Sequence, residues 1–185
     1  MIRKATILLL ILALSSCVSK KKTTYSNDRK VSVAPSKVII ERNSSPRAER
    51  KAEEALVELK ADKIINSALN FSGTPYKYGG TTKRGMDCSG LLYVAFSEHD
   101  ISLPRVSYVM ADEGKEVRVK DVEKGDLLFF RTSKKKKRIN HVGLVVATDN
   151  DEIKFIHAST SRGVIVSSLR EGYWNYAFVK ATRVL

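Results

Sequence analysis

The spacing of the apolar residues changes once along the chain, and that change restricts the fold more than any other feature. Before about residue 113 they recur at helical intervals: Ile64, Ile65, Ala68 and Leu69 in one stretch, Leu91, Leu92, Ala95 and Phe96 in the next. Beyond it they fall into short blocks bounded by turn residues: Asp126 to Arg131, His141 to Ala147, Ile153 to Ala158, Val164 to Ser168 and Ala177 to Val184. A 3.6-residue period buries one face of a helix, and a period of two buries one face of a strand. Helices followed by a run of strands predict an α+β fold, with N-terminal helices packed on a central antiparallel β-sheet. At 185 residues and 43% hydrophobic content, the chain has material for one such core and hardly for two.

The two ends of the helical half read differently. Residues 1–16 have the form of an export leader, with Arg3 and Lys4, an apolar run from Ala5 to Leu14, then Ser15 and Ser16. The run is shorter than the about 20 apolar residues that a membrane span needs. Leu14-Ser15-Ser16-Cys17 resembles the bacterial lipobox, which makes Cys17 the expected lipidation site and the membrane its expected partner. Val18 is not the aspartate that retains some lipoproteins at the inner membrane, so the expected location is the outer membrane, facing the periplasm. Residues 17–60 are expected to form a basic tether with a helical segment from Pro46 to Lys60, whose stripe is Ala52, Ala55, Leu56 and Leu59. The folded domain is then residues 61–185. The first helix of that domain is expected from near Asp62 to Gly73, a Gly-rich loop over Thr74 to Asp87, a second helix from Cys88 to His99 and a short one over Ser107 to Glu113.

The chain has 2 cysteines, so lipidation of Cys17 leaves Cys88 as a lone thiol in an oxidising compartment where pairs are the rule. A solitary exported thiol calls for a chemical explanation. Asp87 is placed to cap the helix that begins at Cys88, and the N–H groups and positive dipole end of that helix favour thiolate. Such placement brings a thiol down to roughly 3.5 to 7.5. Strand alternation sets His141 on one face with Gly143 and Val145, and the glycine is expected to leave room for a substrate beside the imidazole. A turn near Asn150 brings the next strand alongside, so that His157 can hold the second ring nitrogen of His141. Nucleophile, base and orienter are thereby present in the order Cys88, His141, His157. A zinc site is the rival use of one cysteine and two histidines, but the spacing lacks a close ligand pair, and no metal or cofactor is expected.

These residues resemble the NlpC-type family, papain-like cysteine peptidases of bacterial cell walls. The matching blocks are Gly73-Thr74-Pro75-Tyr76-Lys77-Tyr78-Gly79-Gly80, Asp87-Cys88-Ser89-Gly90, Leu103-Pro104-Arg105, Gly125-Asp126-Leu127, His141-Val142-Gly143 and His157-Ala158-Ser159. The resemblance implies that Cys88 is nucleophile, His141 general base and His157 the polar third member. It sets Tyr76 beside the sulfur, helping the Cys88 N–H to hold an oxyanion. It makes Asp87 and Ser89 substrate-positioning or capping groups and Arg105 a partner for a stem-peptide carboxylate. The implied substrate is peptidoglycan, cut at a cross-link involving diaminopimelate or within one stem.

The net charge of +13 does not point to nucleic acid, because an exported protein rarely meets it and no recognisable nucleic-acid motif is present. Anionic wall polymers, stem-peptide carboxylates and lipid phosphates are the expected partners, met by a monomer. The cluster Lys134, Lys135, Lys136, Lys137 and Arg138 departs from the family pattern and is either a solvated hairpin tip or an attractor of anions beside the cleft. Two other functions share the motif: a non-catalytic peptidoglycan-binding lipoprotein and a papain-like acyltransferase.

Overall fold

A computed structural model describes residues 45–133, 137–149 and 152–185. The leader, Cys17 and the tether up to residue 44 lie outside the described residues, as do Lys134, Lys135, Lys136 and Asn150. Among the described residues no helix is long and apolar enough to cross a membrane.

Helix α1 runs over Pro46–Leu69. The Ser45 hydroxyl accepts from the Ala48 N–H at 3.3 Å, and Pro46 opens the helix where its missing N–H costs nothing. The two helical pieces expected on either side of Lys60 are thus one helix, since Lys60, Ala61 and Asp62 include neither glycine nor proline to interrupt it. Its two halves still differ. The stripe of the first half is uncovered, with Leu56 67% and Leu59 52% exposed, and burial begins at Ala61 and continues through Ile64, Ile65 and Ala68. Lys124 braces the changeover by donating to Asp62 at 2.9 Å.

After α1 the expected loop contains a small antiparallel hairpin, β1 (Thr81–Thr82) and β2 (Gly85–Met86). Helix α2 spans Cys88–Ser97 and α3 spans Ser107–Met110. The strands are β3 (Lys115–Val117), β4 (Leu127–Phe130), β5 (His141–Asp149), β6 (Glu152–Ser159), β7 (Gly163–Ser168) and, after helix α4 (Gly172–Ala177), β8 (Phe178–Arg183). They form one 6-stranded sheet in the order β3-β8-β4-β5-β6-β7, with antiparallel pairing throughout. The fold class is α+β, as the change of period predicts.

The sheet buries both faces. One face sets Leu127, Phe129, Val142, Leu144, Ile156 and Val164 against Ile64, Leu91, Leu92 and Phe96 of α1 and α2. The other sets Leu128, Phe130, Val145, Phe155 and Ala181 under Trp174 and Ala177 of α4. β4 therefore reads as an unbroken apolar run, because its alternate side chains enter different cores. β3 and α4 escape a reading by period for opposite reasons. Lys115 and Glu116 of β3 are exposed and held in place by pairing with Arg183 and Thr182, while the short α4 is stabilised chiefly by where its one tryptophan packs.

At the β7 edge the loop after α1 is stitched to the sheet. Gly73 donates to the Val164 carbonyl at 2.8 Å, and Val164 donates back to the Thr74 carbonyl at 2.8 Å. Gly163, at φ +70°, permits this approach: a Cβ there would stand 2.2 Å from the Thr74 oxygen. The loop that carries Tyr76 is in this way fixed to the sheet that carries the histidines.

Candidate active site

Asp87 organises the turn into α2. Its backbone is extended, and its Oδ1 accepts the Gly90 N–H at 2.7 Å, capping the first turn. Oδ2 accepts the Gly79 N–H at 2.7 Å, and Arg105 donates to Oδ1 at 2.8 Å. Arg105 donates also to the Ser89 hydroxyl at 2.7 Å and to the Gly80 carbonyl at 3.2 Å, while Ser89 donates to the Arg105 carbonyl at 2.7 Å. The turn closes so tightly that a Cβ on Gly90 would lie 2.1 Å from the Gly80 oxygen. This arrangement fixes where Cys88 points. Its thiol is buried, at 8% exposure, and the backbone N–H groups of Val142, Ser89 and Cys88 itself are directed at the sulfur. Val142 follows His141, so the structure brings the start of β5 to the start of α2 and sets Cys88 and His141 in the same neighbourhood.

On the sheet, Leu144 pairs with Ile156, a register that sets His141 and His157 on one face, one diagonal apart. His141 Nε2 lies 3.0 Å from His157 Nδ1, and His157 Nε2 lies 3.1 Å from the Ser167 hydroxyl on β7. Aromatic rings close around this line. Trp174 stacks on His141 with centroids 5.2 Å apart and an interplanar angle of 23°, and meets His157 edge-on at 4.5 Å. Phe130 and Phe155 complete the enclosure. His157 is fully buried and His141 nearly so.

Burial dominates the titration of all three groups. It pushes the Cys88 thiol up to about 11, with the adjacent Asp87 carboxylate acting in the same direction and the three N–H groups against it. It pulls His141 down to about 4, a shift that the Asp87 charge partly offsets. Burial pulls His157 down to about 3, helped by the charges on His141 and Arg162. The expectation of a thiol lowered by its helix start is therefore overturned. Helix end and N–H groups act as expected, but the sulfur is desolvated and shares its turn with a carboxylate. Burial thus favours the uncharged form of both the thiol and the imidazole. Burial also raises the Tyr76 phenol, and the charges of Cys88 and Asp87 act in the same direction, so the ring lies within electrostatic reach of the sulfur.

A further expectation changes. Gly143 does not open space for substrate, because a Cβ at that position would stand 2.5 Å from the Phe155 ring; the glycine admits a core aromatic. Arg105 is tied to the turn by three of its five N–H donors, given to Asp87, Ser89 and Gly80, which leaves two for a carboxylate of the substrate. Lys137 and Arg138 of the basic cluster are exposed, and the Arg138 guanidinium lies 4.2 Å from the centre of the Tyr108 ring. Sequence reasoning passes over Ser167 and Trp174 as site residues. A buried serine after the apolar run Val164-Ile165-Val166, and the sole tryptophan of the chain, are the signals that mark them. Elsewhere, a groove between α1 and the turn before β4 is lined by Glu58, Lys124, Asp126 and Arg183 and reaches neither Cys88 nor the histidines. Its charges already pair with one another, Arg183 with Asp126 at 2.8 Å and Lys124 with Glu58 at 3.7 Å.

Comparison with known proteins places this geometry. The model of the NlpC/P60 family matches residues 73–183. The chain is 40% identical over 129 residues to a probable endopeptidase NlpC homolog of Haemophilus influenzae, covering 69% of this chain and 65% of that protein. It is 38% identical over 130 residues to the murein DD-endopeptidase MepS/murein LD-carboxypeptidase of Escherichia coli, covering 70% and 65%. The chain thus spans about two thirds of the length of these curated relatives, a little less than that in both cases. Among solved structures, an NlpC/P60 family protein of Bacillus cereus superposes with a TM-score of 0.61 at 32% identity, covering 68% of this chain and 40% of the other. The NlpC/p60 domain of the peptidoglycan hydrolase SagA superposes with a TM-score of 0.55 at 25% identity, covering 66% and 97%. With the matched segment reaching from the loop before Tyr76 to the last strand, the chain belongs to the NlpC/P60 family.

Proposed function

We propose that the protein is a cysteine endopeptidase that hydrolyses peptide bonds in peptidoglycan stem peptides or cross-links. The observation that carries this reading is the conjunction of a thiol at the start of α2 with a neutral histidine whose far nitrogen is held at 3.0 Å by a second histidine. A neutral imidazole beside a neutral thiol is a base waiting for a proton. His141 takes the Cys88 proton as the sulfur attacks the scissile carbonyl, so the thiolate forms in the act of bonding. The carbonyl oxygen becomes an oxyanion that the Cys88 N–H and the Tyr76 hydroxyl are suited to hold. His141 then gives its proton to the leaving amine, and water, deprotonated by the same imidazole, hydrolyses the thioester. Asp87 supports the transient imidazolium through its charge, and with Ser89 and Arg105 it keeps the nucleophile's turn in place.

The murein endopeptidase activity named for the MepS relative supports this substrate class and favours the cross-link as the bond cut, over a bond within one stem. In the same reading residues 1–16 are a leader, Cys17 is lipidated and residues 17–60 tether the domain 61–185, as a monomer, to the outer membrane on its periplasmic side. Residues 46–60 of that tether belong to α1 and extend about 22 Å as a rigid helix, at about 1.5 Å per residue.

Incubation of the purified protein with defined dimeric and monomeric muropeptides, followed by mass spectrometry, tests activity and bond choice together. Wild type should convert dimers to monomers, and Cys88→Ala should lower turnover at least about 1,000-fold while still binding sacculi. Equal product from variant and wild type rejects the enzyme. Wild-type product in which an acyl group has moved to another acceptor indicates an acyltransferase, and cleavage of monomers alone moves the bond to within the stem.

A further inference from the structure

We propose that Ser167 is a positioning residue that sets the tautomer of His157 and so determines whether His141 can accept a proton. The inference rests on the peptidase reading of Cys88 and His141. It follows from counting hydrogens along one line of contacts.

When His141 takes the proton from Cys88 it carries hydrogen on both ring nitrogens. Its Nε2–H then points at His157 Nδ1, 3.0 Å away, and that atom must offer a lone pair. A neutral imidazole with a bare Nδ1 carries its hydrogen on Nε2. That hydrogen is buried, and the Ser167 oxygen at 3.1 Å is the acceptor in reach. The rings of Trp174 and Phe155 border the rest of the imidazole, and neither ring carries an acceptor oxygen. Without the Ser167 oxygen the Nε2–H tautomer leaves a buried donor unpaired, which costs about 1–3 kcal/mol. The competing tautomer, with hydrogen on Nδ1, avoids that cost by donating to His141 Nε2. In that state the imidazolium of His141 would face donor with donor, and proton uptake from Cys88 is opposed.

The charged or titratable groups around this line are few. Cys88 and Asp87 face His141, and Arg162 acts on His157. Among the described residues neither histidine has a carboxylate as hydrogen-bond partner, so the Nε2–H tautomer of His157 depends on the lone pairs of the Ser167 hydroxyl, a group that can accept as well as donate and that makes this tautomer available at no cost. Ser167 reaches His157 across the sheet by register alone: it sits opposite Phe155, one diagonal from His157.

The test uses an isosteric pair, Ser167→Thr and Ser167→Val, which differ in one hydroxyl and little in volume. In Ser167→Thr the kcat for dimeric muropeptide should stay within about threefold of wild type. In Ser167→Val it should fall about 10- to 100-fold with KM changed less than threefold, the factor that corresponds to about 1.4–2.7 kcal/mol of lost tautomer preference. Nitrogen NMR of 15N-histidine protein should show His157 protonated on Nε2 in wild type and Ser167→Thr and on Nδ1 in Ser167→Val. The second-order rate of Cys88 alkylation by iodoacetamide between pH 6 and 9 should fall in Ser167→Val alone. Equal kcat in the two variants, or an unchanged His157 tautomer in Ser167→Val, overturns the proposal. Absence of cleavage by wild type would sink the peptidase reading by itself, and the NMR comparison still decides on Ser167, since it needs no substrate.

Discussion

Around Cys88 the backbone is held by charge, with one carboxylate gathering two N–H groups and a guanidinium, and with Arg105 reaching on to Ser89 and Gly80. Around His141 the polar contacts are neutral, a file of two imidazoles and a hydroxyl walled by Trp174, Phe130 and Phe155. The difference follows from what each half must do. The turn must stay put near solvent, where the Arg105 side chain is 31% exposed, and an ion pair with a forked donor holds geometry there. In the proposed mechanism His141 must gain and lose a proton, and its neutral partners leave that balance to burial and to the charge of Asp87. Asp87 links the halves by field alone, raising the proton affinity of both Cys88 and His141.

The contrast can be broken most strongly at its charged end. Asp87→Ala strands Arg105 without its carboxylate and leaves the Gly79 and Gly90 N–H groups without their acceptor, and unfolding by urea should show a loss of about 3–5 kcal/mol. Next in size is the response of the neutral half to pH. The folded-state values of His141, about 4, and His157, about 3, lie below the unfolded value near 6.5. The unfolded chain therefore binds more protons through that window, and the stability these groups contribute is complete above pH 6.5 and lost as pH falls through about 4 for His141 and about 3 for His157. Cys88, raised from 9 to about 11, has the opposite sign: its contribution is complete below pH 9 and lost as pH climbs toward 11. Thermal melting across pH should trace a plateau between about 6.5 and 9 with both flanks falling, and a melting temperature that keeps rising from pH 7 to 10 would contradict the burial of the thiol. The smallest effect is expected for Arg105→Lys. It keeps the charge but loses the fork, lowering stability by about 1 kcal/mol, with turnover falling more than KM rises, as measured on muropeptides.

Much of this molecule is legible in sequence because its signals are local or periodic. The cap at Asp87, the helical stripe from Leu91 to Phe96 and the blocks that became β4 to β8 are each set by residues a few positions apart, and the structure returns them with ends shifted by a few residues. The histidines fall on one face because alternation in two neighbouring strands carries them there. What escapes is everything decided across the fold. The desolvation that reverses the Cys88 titration depends on how deeply α2 presses against β5, which neither segment encodes alone. Gly143 reads as open space until the partner strand supplies Phe155. Ser167 looks like one more polar residue near a strand end until the register of β6 and β7 points it at an imidazole.

The stitching of the loop after α1 onto β7 matters also beyond a single molecule. A sheet whose last strand is bare can recruit a strand from another chain and begin to polymerise. Here two of the outward positions of β7 are already spent: Val164 on Gly73 and Thr74, and the Ser168 N–H on the Glu171 carboxylate at 3.0 Å. Only the stretch about Val166 lies between them, too short a template for a foreign strand, so the turn that feeds Tyr76 toward the thiol doubles as protection against aggregation.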